Sequence, residues 1–94
     1  MEILQEAAQS YFAACKKMVA ALEALRAFDG AAVSGTADGD RPTRRAQLLD
    51  EAAGRVYSVL VQREAMKLSG SETFLNDYGI PKEVIARMGQ LPRP

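Results

Sequence analysis

The chain has 94 residues, of which 48% are hydrophobic and 26% charged, so it can form a core and is too apolar for wholesale disorder. Twelve basic residues balance twelve acidic ones, so no net charge draws it to nucleic acid or to a membrane surface. The absence of histidine excludes Ser-His-Asp and Cys-His catalysis and imidazole ligands for zinc. The single cysteine, Cys15, excludes a four-cysteine zinc site and an internal disulfide.

Residues 2–28 are predicted to form one long helix. Apolar residues alternate in steps of four and three, the a/d spacing of a helix that packs along one face. This row comprises Leu4, Ala8, Tyr11, Cys15, Met18, Leu22 and Leu25. Because Cys15 lies in the row, its thiol is expected to act as a small core hydrophobe. Asp29 and Gly30 are predicted to end the helix, with Gly30 in the left-handed conformation.

A loop over 29–42 and a second helix over 43–68 are predicted next. The loop is rich in Gly, Ser, Thr and Asp and has no helical or strand period. Pro42 suits the first helical turn, where its missing N–H is no loss. The apolar residues of the second helix cover more than one stripe, so it needs partners on at least two sides. They are Leu48, Leu49, Ala52, Ala53, Val56, Tyr57, Val59, Leu60 and Val61. Mid-helix Gly54 costs about 1 kcal/mol relative to alanine, which predicts a close helix crossing that offsets it.

Two short helices, over 72–78 and 81–88, are predicted to complete the chain. Ser71 is expected to cap the first, and Gly79 to end it. Pro81 is expected at the first position of the second. Helices this short are not stable alone in water, so they are predicted to dock as a cap on the second helix. The cap is expected to contact Tyr57, Val61 and Leu68.

The stretch NDYGIPKEVIARMG, residues 76–89, also resembles the turn and second helix of a helix-turn-helix. In that alternative the recognition helix would expose Lys82, Glu83, Ala86 and Arg87. Two features disfavour DNA binding. Leu75 stands where the first helix usually needs a small residue, and residues 71–94 carry three basic and three acidic side chains, leaving no net charge to meet phosphates.

Two groups of polar side chains are candidate sites. Arg41, Arg44 and Arg45 could bind an anion near the start of the second helix, although Asp38 and Asp40 precede them and solvated arginines are the commoner case.

The second group is a polar cluster that forms if the C-terminal residues fold back onto the end of the second helix. Its members are Gln62, Arg63, Glu64, Asp77 and Tyr78. In an enzyme, Glu64 or Asp77 would serve as a base and Arg63 as an electrophile. We favour a structural interpretation, in which Arg63 forms an ion pair with Asp77 or Glu64 and fixes the tail.

Residues 61–89 resemble a family of small uncharacterised all-helical bacterial proteins. The similar segments are Gln62-Arg63-Glu64, the run DYGIP at 77–81, Glu83-Val84 and the run RMG at 87–89; residues 21–29 look related too. The family has no assigned activity, cofactor or catalytic residue. The resemblance therefore implies an all-helical cytosolic domain and transfers no site residue.

The sequence thus predicts a single all-α domain, a long antiparallel helical hairpin with two short C-terminal helices. A lone hairpin cannot cover the second helix, so two chains are expected to form a four-helix core as a homodimer. The expected function is a non-enzymatic protein-interaction module without cofactor or metal. The alternatives are a weak DNA-associated regulator and a small carboxylate-dependent enzyme.

The location is expected to be cytoplasmic. Glu2 and Glu6 stand where a signal peptide would carry basic residues followed by an apolar run. No apolar run approaches the roughly 20 residues of a membrane span, so no membrane partner is expected.

Overall fold

The computed structural model describes residues 2–31 and 41–89, which fold into four helices. They are α1 (Glu2–Ala31), α2 (Arg41–Ala65), α3 (Ser71–Asp77) and α4 (Lys82–Met88). No strand occurs within these residues, so the fold is all-α, as predicted. Most of the predicted loop, residues 32–40, lies outside the described residues. No helix in the described ranges has the length and apolarity needed to cross a membrane.

The predicted apolar row of α1 packs against α2 in an antiparallel hairpin. Cys15, Met18, Leu22 and Leu25 are buried, and Tyr11 packs half-buried beside them; the side chain of Leu4 is outside the described part. The buried residues of α2 are Leu49, Ala52, Ala53, Val56 and Val59. We call these five the inner row of α2. Burying a side chain the size of valine or leucine contributes about 1.5–3 kcal/mol, so this seam is the main source of stability.

The two seven-residue helices pack on the same hairpin, with Phe74, Ile80 and Val84 buried in its core. These contacts form the predicted cap. They hold two helices that are too short to be stable alone in water. The contact residues predicted for the cap are wrong. Tyr57, Val61 and Leu68 are exposed, and α4 packs against a different side of α2.

The end of α2 differs from the prediction because a lysine adopts the conformation that usually requires glycine. Lys67 has φ +59°, and its N–H donates to Glu64 O at 3.0 Å while Leu68 N–H donates to Arg63 O at 2.9 Å. These two bonds satisfy carbonyls that the helix would otherwise leave free. The helix consequently ends at Ala65, three residues before the predicted position.

Gly79 ends α3 as predicted, with φ +62° and the same pair of bonds from Gly79 N–H to Asn76 O and from Ile80 N–H to Leu75 O, both 3.0 Å. The predictions for the two helix starts are wrong by one residue. Gly70, with φ +80°, caps α3 in place of Ser71, because its carbonyl accepts the Phe74 N–H at 2.9 Å.

Pro81 is the N-cap of α4 rather than its first helical residue, since its ψ of 146° is extended and its carbonyl already accepts the Val84 N–H at 3.0 Å. Gly30 is also different from the prediction: it is helical, and α1 continues to Ala31. Arg41 Nη2 donates to Phe28 O at 2.6 Å, which satisfies one carbonyl of the last α1 turn.

Within residues 2–31 and 41–89, the predicted close crossing at Gly54 does not occur. A Cβ placed on Gly54 would meet no atom within 4 Å. No neighbouring backbone in the described residues therefore packs against Gly54 to offset its cost in helix stability.

Candidate interaction surface

A line of apolar side chains lies uncovered on the outer side of α2. Tyr57, Val61 and Leu68 are 37%, 46% and 41% exposed. With Leu60, Glu64 and Ser71, they form a groove of about 430 Å³. Tyr57 and Val61 belong to α2 and Leu68 follows its end, and the C-terminal helices leave this surface open.

The groove follows a helical repeat distinct from the inner row. Positions 54, 57, 61 and 64 of α2 are separated by three, four and three residues, the a/d spacing of a helix that pairs with another helix, and Leu68 follows the end of α2 at Ala65. We call Gly54, Tyr57, Val61, Glu64 and Leu68 the outer row. The sequence analysis indicated more than one apolar stripe on α2 but assigned Tyr57, Val61 and Leu68 to contact with the cap, so it did not separate this row from the inner one. The alternating spacing was the available signal.

A second apolar patch lies on α1. Phe12 is 64% exposed, and with Cys15, Val19 and Tyr78 it surrounds a groove of about 450 Å³. Lys16 and Glu23 also line this groove. At the helical spacing of Phe12 and Val19, α1 therefore carries two charged residues, whereas the outer row carries one, Glu64.

Arg63, the centre of the predicted polar cluster, is held by neutral groups. Its Nη1 donates to Tyr11 Oη at 2.9 Å and its Nη2 to Ser69 O at 2.8 Å. The guanidinium lies 4.5 Å from the centre of the Phe74 ring, a cation–π contact. Its buried Nε has no hydrogen-bond partner among the described residues. Arg63 therefore fastens α3 to the hairpin.

The remaining members of the cluster are not brought together. Gln62 Oε1 accepts a 3.4 Å hydrogen bond from Ser10 on α1. Glu64 and Asp77 are exposed, and within residues 2–31 and 41–89 neither forms the predicted ion pair with Arg63. Nor do the described residues include any group of three His, Cys, Asp or Glu side chains placed to hold a metal ion.

Tyr78 packs beside the core instead of joining Arg63 in a site. Its ring centre lies 4.7 Å from that of Phe74. The pKa of the Tyr78 hydroxyl is raised above its ordinary value, mainly by partial burial and to a smaller extent by the nearby Cys15 and Tyr11. The tyrosine is therefore protonated at neutral pH and serves as an apolar wall of the α1 groove.

Two of the three arginines in the predicted anion site are used within the chain. Arg45 contacts Asp29 of α1, with Nε to Oδ1 at 2.8 Å, and Glu83 of α4, with Nη1 to Oε2 at 3.0 Å. Hydrogen bonds from Arg45 lower the pKa of both carboxyl groups. Arg41 lies 4.1 Å from the centre of the Phe28 ring as well as donating to the Phe28 carbonyl. Arg44 is exposed.

The polar residues of α4 attach that helix to α2. Glu83 pairs with Arg45, and Arg87 pairs with Asp50. A hydrogen bond from Arg87 lowers the pKa of the Asp50 carboxyl. Between them Val84 is fully buried. The face that a recognition helix would offer to DNA is, at these two positions, engaged in intramolecular ion pairs.

A family profile matches the whole chain. The family is described as a family of unknown function (DUF6665), and the match covers residues 1–94. No curated protein and no solved structure matches the chain. The predicted resemblance to a family of unknown function is thereby confirmed, over the full length rather than about half of it.

Proposed function

We propose that this chain, which belongs to the family of unknown function DUF6665, is a non-enzymatic interaction module that works as a homodimer. The observation that carries the proposal is the outer row of α2. Its Tyr57, Val61 and Leu68 stay exposed although the inner row of the same helix is buried. Contiguous exposed apolar surface is typical of sites that bind another protein.

The dimensions of the chain support a second copy as the occupant. The radius of gyration is 15.2 Å, whereas a compact chain of this length has roughly 12 Å. The accessible surface is 6746 Å², whereas a folded monomer of this mass exposes roughly 5,300 Å². The chain thus exposes more surface than a compact monomer of its mass, as expected of a chain that buries surface against a second copy.

Charge also favours self-association over capture of a nucleic acid. The chain has no formal net charge, so two copies do not repel each other at long range. Of its basic side chains, Arg45, Arg55 and Arg87 are paired with carboxylates. Those cations are neutralised locally and contribute little to phosphate binding.

The structural use of the polar cluster supports a non-enzymatic function. A base and an electrophile must meet at one place to act on a substrate. Here Arg63 contacts Tyr11, Ser69 and Phe74, while Glu64 and Asp77 are exposed to solvent. We include a cytoplasmic location in the proposal, which is supported by the buried free thiol of Cys15; cell fractionation tests it.

Light scattering on the full chain, combined with sedimentation over a concentration series, tests the proposal. At micromolar concentration the expected mass is twice the 10.2 kDa of one chain. The mass should fall towards that of one chain on dilution. A single-chain mass throughout the micromolar range would overturn the proposal.

A further inference from the structure

We infer that the homodimer forms through the outer rows of α2, packed antiparallel, with Tyr57 of each copy against Val61 of the other. The inference rests on the proposed function and specifies its interface. In this arrangement a two-fold axis passes beside residue 59, and the same surface is used on both copies.

The outer row fits a helix partner better than the patch on α1 does. Between positions 54 and 68 its only charged member is Glu64. The α1 patch alternates Phe12 and Val19 with Lys16 and Glu23. Because charged side chains are depleted at interface centres, the more continuous apolar row is the better centre.

The direction of pairing follows from Glu64 and Gly54. In a parallel pair each residue faces the identical residue of the second copy. Two Glu64 carboxylates would then meet, and two Gly54 positions would leave a gap. In the antiparallel pair with Tyr57 facing Val61, Glu64 faces Gly54 of the second copy. Nothing lies within 4 Å of where a Cβ on Gly54 would stand. This space lets the Glu64 carboxylate bend out to solvent.

The antiparallel register also explains why Gly54 belongs to an otherwise helix-favouring segment. A mid-helix glycine is less favourable than alanine, and no atom of the described residues packs against Gly54 to offset that loss. In the dimer, the missing side chain accommodates the largest polar member of the opposite row. The close crossing predicted from sequence is therefore assigned to a second molecule.

Disulfide trapping distinguishes this register from others. Two cysteines form a disulfide only when their Cα atoms lie within about 4.4–6.8 Å. Facing positions in the paired rows meet that limit. Identical positions, whether 57 with 57 or 61 with 61, are displaced by four residues, or about 6 Å along the helix axis, which takes them beyond it.

The experiment mixes full-length Tyr57→Cys with full-length Val61→Cys, equilibrates the subunits, and oxidises mildly before non-reducing electrophoresis. A cross-linked dimer is expected from the mixture and not from either variant alone. The parent chain, in which Cys15 is buried, measures the background. Cross-linking by Val61→Cys alone, with none added by mixing, would indicate a parallel pair and overturn the inference.

A matched pair of surface variants tests the choice of helix. Val61→Lys should raise the dimer dissociation constant by roughly tenfold or more, because it places a charge at the interface centre. Phe12→Lys, also at an exposed apolar position, should change that constant by less than about threefold. Circular dichroism checks that both variants fold.

The outcomes separate the two proposals. If the parent is dimeric but Phe12→Lys dissociates it and Val61→Lys does not, the interface lies on α1 and the inference is wrong while the homodimer stands. A dimeric parent that yields no cross-link in the mixture also overturns the inference and leaves the homodimer standing. A monomeric parent overturns the proposed function itself.

Discussion

The inner and outer rows of α2 are both apolar, yet only the inner row is buried. Val56 and Val59 are fully covered by α1 and the C-terminal helices, whereas Val61 is 46% exposed. Hydrophobicity alone does not separate the two rows. The neighbouring charges distinguish the two rows, because ion pairs of Arg45 with Glu83 and of Asp50 with Arg87 attach α4 to one side of α2.

The inner row of α2 is covered by the same chain, whereas the apolar side chains of the outer row remain exposed and are proposed to bind a second copy. Variants of the inner row should change the free energy of unfolding. Variants of the outer row should chiefly change association.

Met18→Ala should lower the free energy of unfolding by about 2–5 kcal/mol, because it removes a fully buried side chain and leaves a cavity at the inner seam. Met66→Ala is the matched control. Met66 is 36% exposed, so its truncation should lower that free energy by no more than about 0.5 kcal/mol. Urea titration followed by circular dichroism measures both. Equal losses from the two variants would contradict the division between buried and open surfaces.

Gly79→Ala should destabilise the fold by about 1–2 kcal/mol, because φ +62° is strained for a residue with a side chain. The space itself is adequate, since an added Cβ would lie 3.7 Å from Arg26 Nη2. Gly79→Asn is the control, because asparagine tolerates this conformation better and should recover part of the loss. Thermal melting measures the difference. An unchanged melting temperature for the alanine variant would mean that the turn does not position the tail over the inner row.

Arg45→Gln should lower the free energy of unfolding by about 1 kcal/mol, since it removes two exposed ion pairs that contribute about 0.2–1 kcal/mol each. Arg44→Gln, one residue earlier and exposed, is the control and should have little effect. Amide hydrogen exchange should also become faster in α4. Equal effects of the two substitutions would show that Arg45 does not hold α4 in place.

In Arg45→Gln, the free energy of unfolding should depend less on acidic pH than it does in the parent. The ordinary pKa values are 3.8 for Asp29 and 4.5 for Glu83, and Arg45 lowers both in the folded protein. Their contribution to stability is therefore complete above pH 5 and is lost as the pH falls through 4 and below. Urea titrations at a series of acidic pH values measure how the free energy of unfolding changes with pH. The same change in parent and variant would contradict the role given to Arg45.

Gly54→Ala should have the smallest effect and the opposite sign, a gain of about 0.5–1 kcal/mol in the helix. The added methyl group meets no atom within 4 Å in one chain. The variant and parent are compared by thermal melting at equal, low concentration, where association contributes least. A loss of stability that grows with protein concentration would place the second backbone closer to Gly54 than the proposed register does.

Periodicity predicted the seam of α1 because burial on one face leaves a repeat in the sequence. Cys15, Met18, Leu22 and Leu25 fell where the spacing placed them. The position of the tail was not predictable in the same way. Two apolar rows were available on α2, and the choice between them depends on ion pairs between residues 37 or 38 positions apart.

The predictions of the helix ends were wrong for a local reason. The prediction of the polar cluster was wrong for a tertiary one. A lysine with φ +59° ends α2, which residue preferences alone do not indicate. Arg63 was expected beside a carboxylate but lies over Phe74 and donates to Tyr11, because the tail brings an aromatic ring to it. Such a contact depends on where three separate helices meet, and no spacing rule encodes it.

The contacts of Arg41 and Arg45 with the end of α1 have a consequence for chain length. They join the last turn of one long helix to the first turn of the next, through Phe28 and Asp29, so the two helix ends are held together by side chains. When the two ends of a chain segment are already held together, doubling the segment's length adds only about 0.6 kcal/mol. A tag or reporter domain inserted between Ala31 and Arg41 should therefore leave the pairing of these two helix ends in place.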